Sequence, residues 1–219
     1  MSKKEVCERY IIFIIGLFIA SLGVSMITRA NLGTSPISSI PYVLSLRYPL
    51  SLGMFTIIFS IFLIVLQLII LGRNFKFEHV LQIPISIAFG YFVDFGMIIF
   101  GFINPTMYIA KIIYLLLGCV VLGAGIYLEV LADVAMLPGE SLVRAIVFKW
   151  KTEFGITKIA CDVAMTVTAA LLSFVLMGGL SGVREGTVIS ALLVGFIARF
   201  LGKRLSFLPG KIYESKKRS

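Results

Sequence analysis

Apolar residues run along this chain in blocks too long and too unbroken to be the buried faces of soluble helices. Six stretches, 10–27, 54–71, 80–103, 107–128, 156–177 and 187–202, are apolar nearly throughout. Each approaches the about 20 residues that a helix needs to cross a hydrocarbon core. The pattern predicts an all-α membrane protein with about six transmembrane helices. The first block follows a short basic segment, as the core of a signal peptide would. It is longer than a typical signal core, however, and is expected to remain as a span.

Composition agrees with the pattern: 59% of the residues are hydrophobic and 14% charged, and the mean hydropathy is +1.03. A soluble domain carries a far larger charged fraction. The 219 residues leave room for little beyond the spans, so a single membrane domain over 1–219 is expected, with no soluble catalytic domain.

The net charge of +9 does not point to nucleic acid, because the basic residues sit between and beyond the apolar blocks and no nucleic-acid-binding signature is present. They set orientation instead. Lys3, Lys4, Arg9, Arg73, Lys76, Arg144, Lys149, Lys151 and the end of the chain from Lys203 to Arg218 supply fourteen cations on one side; Arg29, Arg47 and Arg184 are the three on the other. By the positive-inside rule both termini are cytoplasmic. Residues 206–219 read as a basic cytoplasmic tail. Cys7, Cys119 and Cys161 are isolated and His79 is the one histidine, so neither a metal site, a cofactor nor a disulfide framework is expected.

Two connections, 28–53 and 129–155, are longer than turns and fall at corresponding places. At an offset of 104, TRANLGTSPISSIPYVLSL (28–46) lies over ADVAMLPGESLVRAIVFKW (132–150); at 105, ISIAFGYFVDF (85–95) lies over SALLVGFIARF (190–200). Gly90 then matches Gly195, and Gly53 matches Gly155. The expectation is two three-helix repeats, about 9–105 and 106–205, each with a broken or re-entrant connection. Three spans per repeat make them inverted, the plan of many secondary transporters and some channels.

The segment LGTSPISS (32–39), the later GTVISALLVGF (186–196) and the six-span plan resemble the YczE/YyaS/YitT group of bacterial integral membrane proteins over most of the chain. That resemblance implies a bacterial inner-membrane protein. It carries no defined activity.

Candidate chemistry sits at the breaks and at charges within spans. Gly33, Thr34, Ser35 and Pro36 have the grammar of a helix start, with Ser35 as cap, Pro36 in the first position and Gly33 allowing the bend. Pro138, Gly139, Glu140 and Ser141 repeat it. If these short helices dip into the membrane, their N-termini favour an anionic or polar solute; the alternative is a helix lying flat in the interface. Both segments are candidate substrate contacts.

At the offsets above, Arg29 corresponds to Asp133 and Asp94 to Arg199, with signs exchanged. Two ion pairs are predicted, Arg29 with Asp94 and Asp133 with Arg199, serving as structural staples or as gates. Lys158 and Asp162, one turn apart, are expected to pair locally. Glu129 and Asp162 are candidate proton relays. Gly90 and Gly195 predict that the third and sixth spans pack closely near the repeat axis.

These features point to a small-solute transporter with its site between the repeats, not to an enzyme. A channel, or a non-transporting protein that assembles with a partner complex, is the alternative. The expected partners are the lipid bilayer and a small solute, with homo-oligomerisation left open.

Overall fold

In the computed structural model, residues 3–75 and 79–204 are described; Lys76 and the basic tail 206–219 lie outside them. Among the described residues, eight α-helices follow one another in the order α1 (Lys3–Arg29), α2 (Pro36–Arg47), α3 (Leu52–Leu71), α4 (Gln82–Ile99), α5 (Tyr108–Ala132), α6 (Pro138–Trp150), α7 (Phe154–Met177) and α8 (Glu185–Arg204). Six of them, all but α2 and α6, are long and apolar enough to cross a membrane. The six expected spans are therefore met. The two broken connections hold α2 and α6, of 12 and 13 residues, too short to cross.

Local chemistry sets these boundaries. Pro36 and Pro138 each occupy a first helical position, where the missing N–H costs nothing. Tyr48 is extended, as a residue before proline must be, and ends α2 ahead of Pro49. Ser51 caps α3 by accepting the Met54 N–H. Asp133, Lys151 and Gly178, all in the left-handed region, end α5, α6 and α7.

The centre of the bundle is the crossing of α1 and α5, the most extensive helix interface in the fold. The two run antiparallel: Gly16 backs onto Gly125 and Leu128, while Gly118 backs onto Ile27 and Gly23. Phe13, Leu17, Ala20, Val24, Ile27, Leu115, Cys119 and Leu122 fill this seam. Around it, α4 packs on α1 and α8 on α5. The short helix α2 packs on α3 and α7, and α6 packs on α7 and α3. One pairing has no counterpart: α3 and α4 pack along each other, whereas α7 and α8 make no comparable interface. Much of α7 is an exposed apolar surface, including Ile159, Val163, Val167 and Leu171.

Two expectations change here. Gly90 packs against Gly53 and Ile57 of α3, and nothing lies within 4 Å of a Cβ built on Gly195. The close crossing belongs to α1 and α5, not to α4 and α8. The offset between the halves also moves. Gly16 and Gly118, Gly23 and Gly125, and Pro36 and Pro138 are each 102 positions apart. So are Asn31 and Asp133, two of the three non-glycine residues with positive φ among the described residues (57° and 49°). At that spacing Asp133 lies over Asn31, and Arg29 over Leu131. At a spacing of 102 the exchange of sign expected between Arg29 and Asp133 is absent.

Candidate functional site: two cavities and a polar septum

The first break folds onto the start of α8. Gly33 turns the chain with φ +109°, and a Cβ there would run into the Thr187 hydroxyl. The Thr34 N–H donates to Thr187 Oγ1 at 3.3 Å, Ser190 Oγ donates to the Thr34 carbonyl at 3.2 Å, and the Gly186 N–H donates to the Leu32 carbonyl at 2.8 Å. The Thr28 and Thr34 hydroxyls pair at 2.9 Å. Thr34 is wholly buried, and Ser35, Pro36, Ser38 and Ser39 are buried with it. Ser35 stands at the cap position, but its hydroxyl bonds Ser38 Oγ instead of a backbone N–H. Gly33→Ala is expected to destabilise the protein by about 1–3 kcal/mol through backbone strain and the Thr187 clash. A lowered unfolding midpoint in detergent checks this.

The second break rests on α3 and α4. Gln67, wholly buried on α3, donates from Nε2 to Gln82 Oε1 and to the Pro138 carbonyl, both at 3.1 Å. Its Oε1 accepts from Ser141 Oγ at 2.8 Å and from Gln82 Nε2 at 3.2 Å. Gln82 Nε2 also reaches Ser141 Oγ at 2.9 Å and His79 Nδ1 at 3.2 Å. Each break is thus fastened to the first turn of the last helix in the opposite half, Thr187 of α8 and Gln82 of α4. Those two residues are 105 positions apart, the offset that the α4 and α8 sequences give. The breaks meet each other where Gly139 packs directly on the Ile37 side chain.

Two cavities open at opposite ends of the bundle. The proximal one, at the end where α1 begins, has a volume of about 800 Å³ and is lined by Arg73, His79, Gln82, Asp133, Ser141 and Arg144, among others. The distal one, about 830 Å³, is lined by residues including Arg29, Asn31, Tyr42, Ser45, Asp94 and Asn104. α1, α3 and α4 contribute to both, α6 only to the proximal and α2 only to the distal. On α4 the linings are 12 residues apart, Gln82 to Asp94, or about 18 Å of helix. The buried first turns of α2 and α6 meet at Ile37 and Gly139 and form a septum between the two linings. On α3 the buried polar residues Thr56, Ser60 and Gln67 lie between the residues that line the two cavities, Leu52 and Leu71, and Gln67 bonds the first turn of α6.

The candidate residues divide accordingly. Ser141 lines a cavity, whereas Gly33, Thr34, Ser35, Pro36, Pro138 and Gly139 belong to the septum. Glu140 is half-buried and feels the charges of Lys158, Asp162 and Arg144. Lys158 and Asp162 form the expected local pair at 2.7 Å. Glu129, in the last turn of α5, is buried with Oε1 lacking a hydrogen-bond partner.

Neither predicted long-range ion pair forms; the three pairs within 4 Å among the described residues join other groups. Arg29 instead donates to the Met97 carbonyl at 2.7 Å. Asp94 accepts from Ser51 Oγ at 2.6 Å and from the Gly53 N–H at 2.7 Å, which fastens the start of α3. Asp133 ends α5 in the proximal cavity and Arg199 is exposed on α8. Depth along the helices puts these charges at similar levels, but the alignment that matched them did not fix which way each side chain points.

Sequence reasoning missed Gln67, Gln82, Thr187 and Ser190. A signal for the first was present: Gln67 is the one amide side chain in a long apolar run, and an amide in lipid needs partners.

The fold and its paired cavities define a multi-pass helical membrane protein. Over residues 7–203 the chain matches the family of unknown function DUF6198, and it belongs to that family. It is similar to the "Uncharacterized membrane protein YczE" of Bacillus subtilis (strain 168), at 29% identity over 201 residues that cover 90% of this chain and 87% of the relative. The resemblance expected from LGTSPISS and GTVISALLVGF is met. No solved structure matches the chain.

Proposed function

We propose that the protein is a small-solute transporter of the bacterial cell membrane, working by alternating access between two inverted repeats, α1–α4 and α5–α8. The observation that carries this reading is the pair of separate cavities of similar volume at opposite ends of α1, α3 and α4, with α2 lining one and α6 the other. Support for the inverted repeat comes from the antiparallel α1–α5 crossing through equivalent glycines, and from the crosswise fastening of each break. The polar residues Thr56, Ser60 and Gln67 on α3, unusual in an apolar span, lie between the cavity-lining ends of that helix. No chemistry beyond binding and translocation is assigned to the chain.

In this reading the proximal cavity faces the cytoplasm, as the distribution of Lys and Arg requires. Leu46 and Phe148 line the distal and proximal cavities from equivalent places on α2 and α6. In a background lacking Cys7, Cys119 and Cys161, Leu46→Cys is expected to react with a membrane-impermeant maleimide added to intact cells. Phe148→Cys is expected to react only in inside-out vesicles. Labelling of both from one side would mark an open pore and overturn alternating access; the reversed pattern would overturn the orientation.

A further inference from the structure

Resting on the transport reading, the distal cavity narrows the class of solute. It holds a cation and an anion that do not neutralise each other. The Arg29 guanidinium is tied by Nη2 to the Met97 carbonyl, and its Nε is buried without a partner. The Asp94 carboxylate is held by the Ser51 hydroxyl and the Gly53 N–H, so its position is fixed by the start of α3. Both line one cavity of about 830 Å³, yet no ion pair forms between them within 4 Å. A volume of this size suits a small ligand, since such pockets run to roughly 300–1,000 Å³.

In a low-dielectric site an unpaired charge is costly, and a self-neutralising pair would be the cheaper arrangement if the cavity had only to be tolerated. Here each charged group is anchored to a different helix, Arg29 to α4 and Asp94 to the start of α3, and the two do not pair. A ligand with a carboxylate at one end and an ammonium at the other regains both interactions at once; an ion of single sign satisfies one group and leaves the other uncompensated. The neutral partners around them, Asn31, Ser45 and Asn104, can both donate and accept, as the polar flanks of a dipolar molecule require. The proximal cavity also carries both signs, being lined by Asp133, Arg73 and Arg144 with no ion pair within 4 Å among them. A dipolar solute therefore meets complementary charge on either side of the septum.

We infer that the distal cavity is a binding site for a small zwitterion, with Arg29 taking the carboxylate and Asp94 the ammonium group.

The test uses the purified full-length protein in detergent, followed by thermal unfolding and by equilibrium binding of radiolabelled 4-aminobutyrate and L-alanine. Butyrate and butylammonium serve as single-charge halves. At least one zwitterion is expected to bind and to raise the unfolding midpoint, with each half-molecule at least tenfold weaker. Arg29→Gln is expected to weaken the zwitterion at least tenfold while leaving butylammonium binding unchanged. Asp94→Asn, which retains an acceptor for the Gly53 N–H, is expected to do the converse and spare butyrate. Asn104→Ala, a milder change away from both anchors, is expected to weaken the zwitterion severalfold in a protein with wild-type elution on size exclusion. Failure of both zwitterions to bind a folded protein, half-molecules that bind as tightly, or variants that keep the wild-type preference would each overturn the assignment. The two-sided labelling of Leu46→Cys and Phe148→Cys is independent of solute, so it separates failure of this assignment from failure of the transport reading.

Discussion

Replacing Gly23 or Gly125 by alanine is expected to destabilise the protein by about 3 kcal/mol, the upper end of the usual range for overpacking, or to stop it accumulating in the membrane. A Cβ on Gly23 would stand 2.6 Å from Leu122 Cα, and one on Gly125 would stand 2.6 Å from Ala20 Cα. These neighbours are backbone in the facing helix, so relief requires that α1 and α5 move apart. Small residues permit that approach, which in lipid supplies the dispersion contacts that a hydrophobic drive cannot. The same change at Gly195, where a Cβ meets nothing within 4 Å, is expected to be neutral or to stabilise by up to about 1 kcal/mol through helix propensity. Chemical unfolding of the three variants in detergent checks the contrast, and an effect at Gly195 equal to that at Gly125 would contradict this account of the core.

Gln67→Leu is the second large change. It removes the partner of Gln82, Ser141 and the Pro138 carbonyl in a buried setting. A hydrogen bond in a membrane bundle contributes about 0.6 kcal/mol on average, and in water-soluble proteins about 1 kcal/mol. With four bonds lost, a destabilisation of about 2–4 kcal/mol is expected. The triple change of Gln67 and Gln82 to Leu with Ser141→Ala should recover part of it, because the Gln82 and Ser141 side chains no longer remain as buried polar groups without their partner, and only the Pro138 carbonyl and His79 Nδ1 still lose a bond. The recovered stability would come without function, since the cluster fastens α6 to α3 and α4 at the floor of the proximal cavity. Comparing unfolding midpoints of the single and triple variants decides the matter. A triple variant less stable than Gln67→Leu would show that the cluster does not act as a unit.

The parts of this molecule governed by periodicity and length were legible in the sequence. Six apolar blocks gave six membrane-crossing helices, and the Gly-Pro punctuation at 33–36 and 138–139 marked where two further short helices begin. The local Lys158–Asp162 pair was also legible, because four-residue spacing on a helix dictates contact. Contacts between helices were not. Gly90 and Gly195 drew attention as a matched pair, but the crossing that matters uses Gly16, Gly23, Gly118 and Gly125. Those glycines share an offset of 102, whereas α4 and α8 match at 105. One gap in the alignment was thus enough to hide them and to bring Arg29 opposite Asp133.

The charge pairs failed for a related reason. Helix rise gives depth but says nothing of azimuth, and it gave no warning that Asp94 would be claimed by the Gly53 N–H and the Ser51 hydroxyl at the start of α3. The buried amide cluster could have been sought from Gln67 alone. Its partners, drawn from two other helices, could not.

The central claim is that two like halves exchange conformations. Here α3 and α4 pack together while α7 and α8 do not, and exchange predicts a second state in which α7 and α8 pack and α3 and α4 part. Ile61 and Tyr91, and their counterparts Val163 and Phe196, are exposed on these four helices. Spin labels on the two pairs in lipid nanodiscs report the separations directly. Alternating access predicts two distances for each pair, with the fraction of long α3–α4 distances equal to the fraction of short α7–α8 distances. One fixed, unequal distance for each pair under every condition would contradict it.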